Sequence, residues 1–304
     1  MINNKKMACL FGGQGLQYIG MGKEFYDRDE DCRQLFATAS DVMGYDMADL
    51  CFHGQEEIFE REWYSLPSML TIDLCAYTLA LKEGYSFQAL AGFSLGEYAA
   101  LAAANVVTIP DAFEVVKQLV LASESHLQDG TYGMAAVNMP MDMCENICAS
   151  IQNGYVKIAN YNSRKQVTIA GTQKGLDRFE HIATGLNMKF MPIKVNRPYH
   201  STLMQAASEQ YYNEIKSITF SDASIPIYMN VDGKVETRGE EIRSKVVKQL
   251  RSPVMWLQIM EHLHAAGFQY YVECALNSVL CRMVRDTLGV SQEQTIFLNS
   301  KTTA

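Results

Sequence analysis

No stretch of this 304-residue chain stays apolar for the length that a bilayer crossing needs. The apolar run near the start, Met7 to Phe11, is too short for a secretory signal. A cytoplasmic protein without membrane contact is therefore expected. No internal repeat, low-complexity segment or block of like charge is present. The formal net charge of −8 leaves no basic surface for phosphates, which excludes nucleic acid as the main partner. The spacings of a dinucleotide fingerprint and of a Walker lysine are both missing. The eight cysteines are scattered mostly through apolar runs and read as reduced core thiols. Cys144 and Cys148 stand one helical turn apart with no neighbouring His or second Cys pair, so no metal site is expected.

What remains is an ordinary globular-enzyme composition, 48% hydrophobic and 20% charged. Met7 to Phe11 reads as a short strand ending in Gly12-Gly13-Gln14-Gly15. Helical periodicity covers 31–43 and 67–82, then come a strand at 88–92 and helices near 95–104 and 110–126. Strand and helix in alternation imply a parallel α/β sheet. From about 131 to 195 the texture changes. Strands at 132–138, 155–160, 166–170 and 188–195 are interleaved with helices at 141–151 and 174–186, and a polar turn begins at Asn162. That βαββαβ order is the ferredoxin-like pattern. Further on, a helix from about 201, strands at 225–231 and 268–273 and helices at 239–249, 256–266 and 277–286 are expected. The organisation expected is a large α/β-hydrolase-like unit from 1–130 and 197–304, with a small ferredoxin-like unit inserted at 131–196.

Gly92-Phe93-Ser94-Leu95-Gly96 lies between the short strand at 88–92 and a helical run rich in alanine. A G-x-S-x-G between strand and helix is a nucleophile elbow. The sharp turn packs backbone on backbone, which only small residues permit. It also aims the first amides of the helix at whatever Ser94 attacks, where a helix N-terminus favours developing negative charge.

Serine needs a base within hydrogen-bond reach. Six histidines are available: His53, His126, His181, His200, His262 and His264. His200 stands first among them because it follows the last strand of the inserted unit, and element ends present catalytic side chains. Spacing alone leaves the other five open. Gln14, in the glycine-rich turn after the first strand, is a candidate oxyanion-hole amide beside that of Leu95. A phosphate-cradling loop or a plain turn would look the same.

Several motifs then fall into one order. They are Phe11-Gly-Gly-Gln-Gly-Leu-Gln, Gly92-Phe-Ser-Leu-Gly-Glu-Tyr-Ala-Ala-Leu, Asn160-Tyr-Asn-Ser-Arg-Lys-Gln-Val-Thr-Ile-Ala-Gly, Pro198-Tyr-His-Ser-Thr-Leu-Met, Gln249-Leu-Arg-Ser-Pro-Val-Met-Trp and Tyr271-Val-Glu-Cys. This series resembles the malonyl-CoA:acyl-carrier-protein transacylase family, which includes the acyltransferase domains of polyketide synthases, from about residue 7 to 298. The resemblance implies Ser94 as nucleophile and His200 as general base in a ping-pong acyl transfer, with Gln14 and Leu95 as oxyanion-hole amides. It implies that a backbone carbonyl at 252–255, Met255 included, orients His200 in place of an acid. It places Asn160 and Asn162 near the pantetheine entrance. It implies no bound cofactor, an acyl-CoA or acyl-phosphopantetheine substrate, an acyl carrier protein as partner, and a monomer.

The chain departs from the family around the acyl pocket, which Phe93, Leu119, Arg197 and Tyr199 are expected to line. Counting without gaps from Ser94, the arginine that pairs with a malonyl carboxylate in the family is Leu119 here, and no Arg occurs between Arg61 and Arg164. Lys117 should face elsewhere, being two residues and about 200° away around the helix. Phe93 replaces the usual His, Gly12 the usual Pro, and Ala275-Leu276-Asn277 the usual Gly-Pro-Gly. A buried carboxylate without a cation is disfavoured, so a neutral or unusual acyl group is expected unless Arg197 substitutes. Three alternatives stay open: an acyl-carrier hydrolase, an ordinary malonyl transacylase, and a lipase-like hydrolase using His262 or His264 with Asp222 or Asp232.

Overall fold

The computed structural model describes residues 5–15, 17–127 and 131–298. Its strands are β1 (Met7–Phe11), β2 (Ala89–Gly92), β3 (Tyr132–Asn138), β4 (Val156–Ser163), β5 (Gln166–Thr172), β6 (Lys189–Ile193), β7 (Ile227–Tyr228), β8 (Val235–Glu236), β9 (Tyr270–Cys274) and β10 (Thr295–Leu298). The larger sheet runs β10-β9-β1-β2-β7-β8 and is parallel except for the β7–β8 pair. β1 and β2 are buried along their whole length, as strands covered on both faces must be. Their alternate residues feed two cores: Cys9, Phe11 and Leu90 on one face, Ala8, Leu10, Ala89 and Ala91 on the other. The ladder ends with Phe11 opposite Gly92 and Cys274, which brings the glycine loop and the serine turn together at the carboxyl edge of the sheet.

The smaller sheet is antiparallel in the order β4-β5-β3-β6 and carries helices Met141–Ser150 and Gln173–Gly185, the expected ferredoxin-like arrangement. The expected boundary at 130/131 borders residues 128–130, which lie outside the described residues. β4 runs beyond the predicted 155–160, because Tyr161 and Ser163 still pair with Val167 and Gln166. The turn that was expected to open at Asn162 shrinks to Arg164-Lys165.

The helix predicted at 67–82 begins earlier, at Glu62, with Pro67 inside it. Proline withholds the N–H that would reach the Trp63 carbonyl, and the Tyr45 hydroxyl donates to that carbonyl instead, at 2.9 Å. The predicted strand at 225–231 keeps only Ile227–Tyr228 as strand, since the chain turns at once, with Gly233 N–H donating to the Met229 carbonyl. The turn leaves Asn230 buried beside the elbow. Among the described residues no helix is long and apolar enough to cross a membrane.

Candidate active site

The elbow exists because two glycines let backbone meet backbone. A Cβ on Gly92 would lie 1.9 Å from the Gly96 carbonyl carbon, and one on Gly96 would lie 2.4 Å from the Phe11 carbonyl oxygen. Ser94 sits at the apex with φ 53°, a left-handed conformation costly for a residue with a Cβ. Asn230 Oδ1 accepts the Ser94 N–H at 2.8 Å, and Asn230 Nδ2 donates to the Gly92 carbonyl at 2.6 Å. Gln249 Nε2 donates to the Ser94 carbonyl at 3.0 Å. Side chains thus hold the strained peptide on both sides.

His200 meets Ser94 across the cleft, with Nε2 2.7 Å from the serine Oγ. It also has positive φ, 61°, and is buried. Its Nδ1 lies 2.9 Å from the Gln249 carbonyl. A carbonyl only accepts, so Nδ1 carries the ring proton and Nε2 is left bare to accept from the serine hydroxyl. Burial pushes the imidazole down to about 4, against the opposing pull of the Gln249 and Ser252 backbone. A neutral imidazole on a serine hydroxyl is the arrangement of a general base and a nucleophile.

The orienting carbonyl differs from the expected one. The Met255 carbonyl accepts the Ile259 N–H at 3.0 Å as the first bond of helix Trp256–Ala265, so it is not offered to His200. Gln249 supplies the carbonyl instead. Gln14 follows β1 in the glycine loop, and Leu95 follows Ser94 directly. Among the described residues no acceptor faces the main-chain N–H of either. The Gln14 side chain is tied back by a 3.2 Å bond to the Ser65 hydroxyl.

A serine turn, a neutral imidazole and two free amides at one sheet edge are the parts of an acyl-transfer site. The acyl transferase domain family matches residues 9–298. This chain belongs to that family. Among curated relatives, the malonyl CoA-acyl carrier protein transacylase of Bacillus subtilis (strain 168) is 31% identical over 98% of this chain and 97% of its own length. The protein of that name from Escherichia coli (strain K12) is 32% identical over 94% and 95%. Among solved structures, the malonyl CoA-acyl carrier protein transacylase of Coxiella burnetii superposes with a TM-score of 0.93 at 27% identity, covering 98% of this chain and 96% of that one. A malonyl-transacylase in complex with a type II polyketide acyl-carrier protein gives 0.90 at 28% identity, covering 96% and 95%. The branch is that of the malonyl CoA-acyl carrier protein transacylases, and the chain is an acyltransferase.

Against that family, the remaining predicted residues separate into groups. Leu119 and Tyr199 are both buried in the core on one side of the sheet. The Tyr199 hydroxyl donates to Glu62, and burial raises it most, with the Ser123 hydroxyl and the Arg197 guanidinium also acting on it. Arg197 is 7% exposed, and its Nη1 donates to the Asn196 carbonyl at 3.3 Å. Lys117 turns away, donating to the Val42 carbonyl at 3.0 Å. Phe93 stands apart from this group. It packs edge-on against Trp256, with ring centroids 5.4 Å apart, and belongs to the core on the other face. Its ring also lies 2.9 Å from where a Cβ on Gly13 would fall, which reserves that position for glycine.

Asn160 and Asn162 do not stand at an open mouth; both are 3% exposed. The reason is a backbone bridge between the two units. Val254 N–H donates to the Ala159 carbonyl at 2.8 Å, and Tyr161 N–H donates to the Val254 carbonyl at 2.9 Å. The lipase-like alternative fails on geometry. His262 Nδ1 faces the Gly233 carbonyl at 2.8 Å, Asp222 accepts from Gly239, and Asp232 pairs with Lys245. His264 Nδ1 lies 3.4 Å from the Tyr271 hydroxyl, and among the described residues the Ser94 hydroxyl is partnered by His200 instead of any of these. Among the described residues no group of three or more His, Cys, Asp or Glu could hold a metal ion.

Sequence reasoning missed Glu97, Asn230 and Gln249 as site residues, and of the three Glu97 carried a signal. Glu97 is the one charge in a helix start otherwise made of small and apolar residues, and it is completely buried. Burial pushes its carboxyl up, opposed by two bonds from Asn230.

Proposed function

We propose that this acyltransferase carries its cargo as an ester of Ser94 and exchanges it with the phosphopantetheine thiol of an acyl carrier protein. The observation that carries the reading is the 2.7 Å contact of Ser94 Oγ with the unprotonated nitrogen of His200. His200 Nε2 takes the hydroxyl proton as Oγ attacks the thioester carbonyl. The oxyanion forms between the amides of Gln14 and Leu95. The C–S bond then breaks, and the departing thiol takes the proton back from His200. In the second half a carrier thiol gives its proton to His200 and attacks the acyl ester; the C–Oγ bond breaks, and Ser94 Oγ takes the proton back from His200. Each oxyanion amide in such a site contributes roughly 10²–10³ in turnover. A cleft of about 400 Å³ beside His200, walled by Tyr155, Tyr161, Thr202, Arg251 and Pro253, offers room for the pantetheine arm.

The cargo we infer is a neutral acyl group. A malonyl carboxylate at Leu119 would be buried against an apolar side chain, and an unpaired buried charge is costly. Malonyl remains the second reading, because the relatives bear that name and Arg197 is buried beside Tyr199. Mass spectrometry of the intact protein after exposure to acetyl-CoA or malonyl-CoA separates the two. Acetyl ester on Ser94 in clear excess is expected; malonyl ester in excess overturns the neutral cargo and assigns the clamp to Arg197. Free acid released without an added acceptor would identify a hydrolase.

A further inference from the structure

We propose that Glu97 is a positioning residue whose buried carboxylate sets both the serine elbow and the stretch that orients His200. The inference rests on the Ser94–His200 reading given above. Glu97 Oε2 accepts two bonds from Asn230, from its main-chain N–H and from Nδ2, both at 2.6 Å. Glu97 Oε1 accepts from Gln249 Nε2 at 3.1 Å. These are the residues that grip the two peptide groups of Ser94, and the Gln249 carbonyl also receives His200 Nδ1. Asn230 comes from the turn after β7 and Gln249 from the end of helix Gly239–Gln249, elements with no contact through strand pairing. Among the described residues Glu97 is the one side chain bonded to both.

The chemistry of the three bonds specifies the residue. Every partner of Glu97 is an N–H donor and both oxygens accept, so the three bonds favour the ionised carboxylate that burial opposes. A glutamine of the same shape would present its NH₂ to one of those donors. The Gln249 amide would then have to rotate, which takes Nε2 away from the Ser94 carbonyl. Released on that side, Ser94 leaves its left-handed conformation more readily, and the hydroxyl spends less time aligned with His200. Substrate contacts are untouched by the change.

Glu97→Gln tests this. The readouts are the labelling rate with an uncharged fluorophosphonate, steady-state kcat and KM for acyl transfer, and the thermal transition. Labelling and kcat should both fall at least tenfold, with KM within twofold of wild type and a cooperative transition retained. A purely structural residue would lower only the transition temperature. Gln249→Met is the second variant. It deletes the two bonds that Gln249 Nε2 donates and the one Oε1 accepts from the Tyr98 hydroxyl, and leaves the main-chain carbonyl on His200, so labelling should fall in the same direction by a smaller factor. Wild-type labelling by folded Glu97→Gln overturns the proposal, as does a loss confined to KM, or failure of both variants to fold. A wild-type protein that the probe does not label would instead sink the Ser94 reading itself.

Discussion

At the Ser94 end of the site the main chain is tied on each side by Asn230 and Gln249, whereas the proposed cargo end holds Leu119 and Tyr199 as buried side chains of one apolar core. The first arrangement is over-determined. Two glycines, a strained φ and a set of buried polar bonds must all agree, and changing any one disturbs the rest. The second is a matter of which atoms fill a space, so one side chain can be exchanged while the backbone stays put. On the reading proposed above, the chemistry then depends on the fold and the cargo on a few replaceable side chains.

The firm end breaks with the largest effect. Ser94→Ala should lower acyl transfer by roughly 10⁴-fold or more, as expected when a nucleophile that acts as a unit with its base is removed. Its main-chain bonds to Asn230 and Gln249 do not involve Oγ, so the unfolding transition should stay near that of wild type. Fluorophosphonate labelling and steady-state transfer check the first expectation, and calorimetry the second. Residual turnover near wild type would mean that the elbow is intact and the chemistry is elsewhere.

The soft end should sharpen the contrast. Leu119→Arg puts a guanidinium where the wall is now apolar, and a charge-assisted bond to a carboxylate contributes about 1.5–3 kcal/mol. The ratio of malonyl to acetyl ester on Ser94 should rise roughly ten- to a hundredfold. Without a carboxylate the arginine is buried and underpaired, so the variant should melt below wild type and regain stability with malonyl-CoA present. An unchanged ratio in a folded variant would show that Leu119 does not face the cargo.

The same contrast accounts for what could be read without coordinates. The sharp serine turn, the histidine that meets it and the antiparallel sheet were legible because they leave local marks: glycines at the turn, a His at an element end, and a change of strand and helix rhythm after residue 130. Pro67 misled for an equally physical reason, since the hydroxyl of distant Tyr45 satisfies the carbonyl that proline abandons. The orienting carbonyl of Gln249 was missed because main-chain acceptors carry no sequence signature, and a shift of a few residues costs nothing in composition. The motif gave no sign that Asn160 and Asn162 would be buried where β4 bridges to Val254. The pairing of Glu97 with Asn230 joins residues far apart in sequence, and only the parallel placement of β2 beside β7 makes them neighbours.

The smallest expected effect is a response to pH that stays nearly flat. Burial holds His200 near 4, below the ordinary histidine range around 6.5. Between about pH 7 and pH 5 the imidazole therefore stays neutral and keeps accepting from Ser94. A solvated histidine would already have lost roughly thirtyfold of its basic form at pH 5. An uncharged fluorophosphonate isolates this response, because the probe contributes no ionisation of its own. Stability moves differently over the same interval. The unfolded chain takes up a proton at His200 as pH drops below about 6.5 while the folded protein does not, so the contribution of His200 is present above that value and lost on the way down to about 4. Labelling per folded molecule should therefore show no step from His200 in this interval while the unfolding midpoint falls. A labelling midpoint near 6.5 would mean that His200 is solvated at the moment of attack, and the firm end of the cleft would be looser than its hydrogen bonds imply.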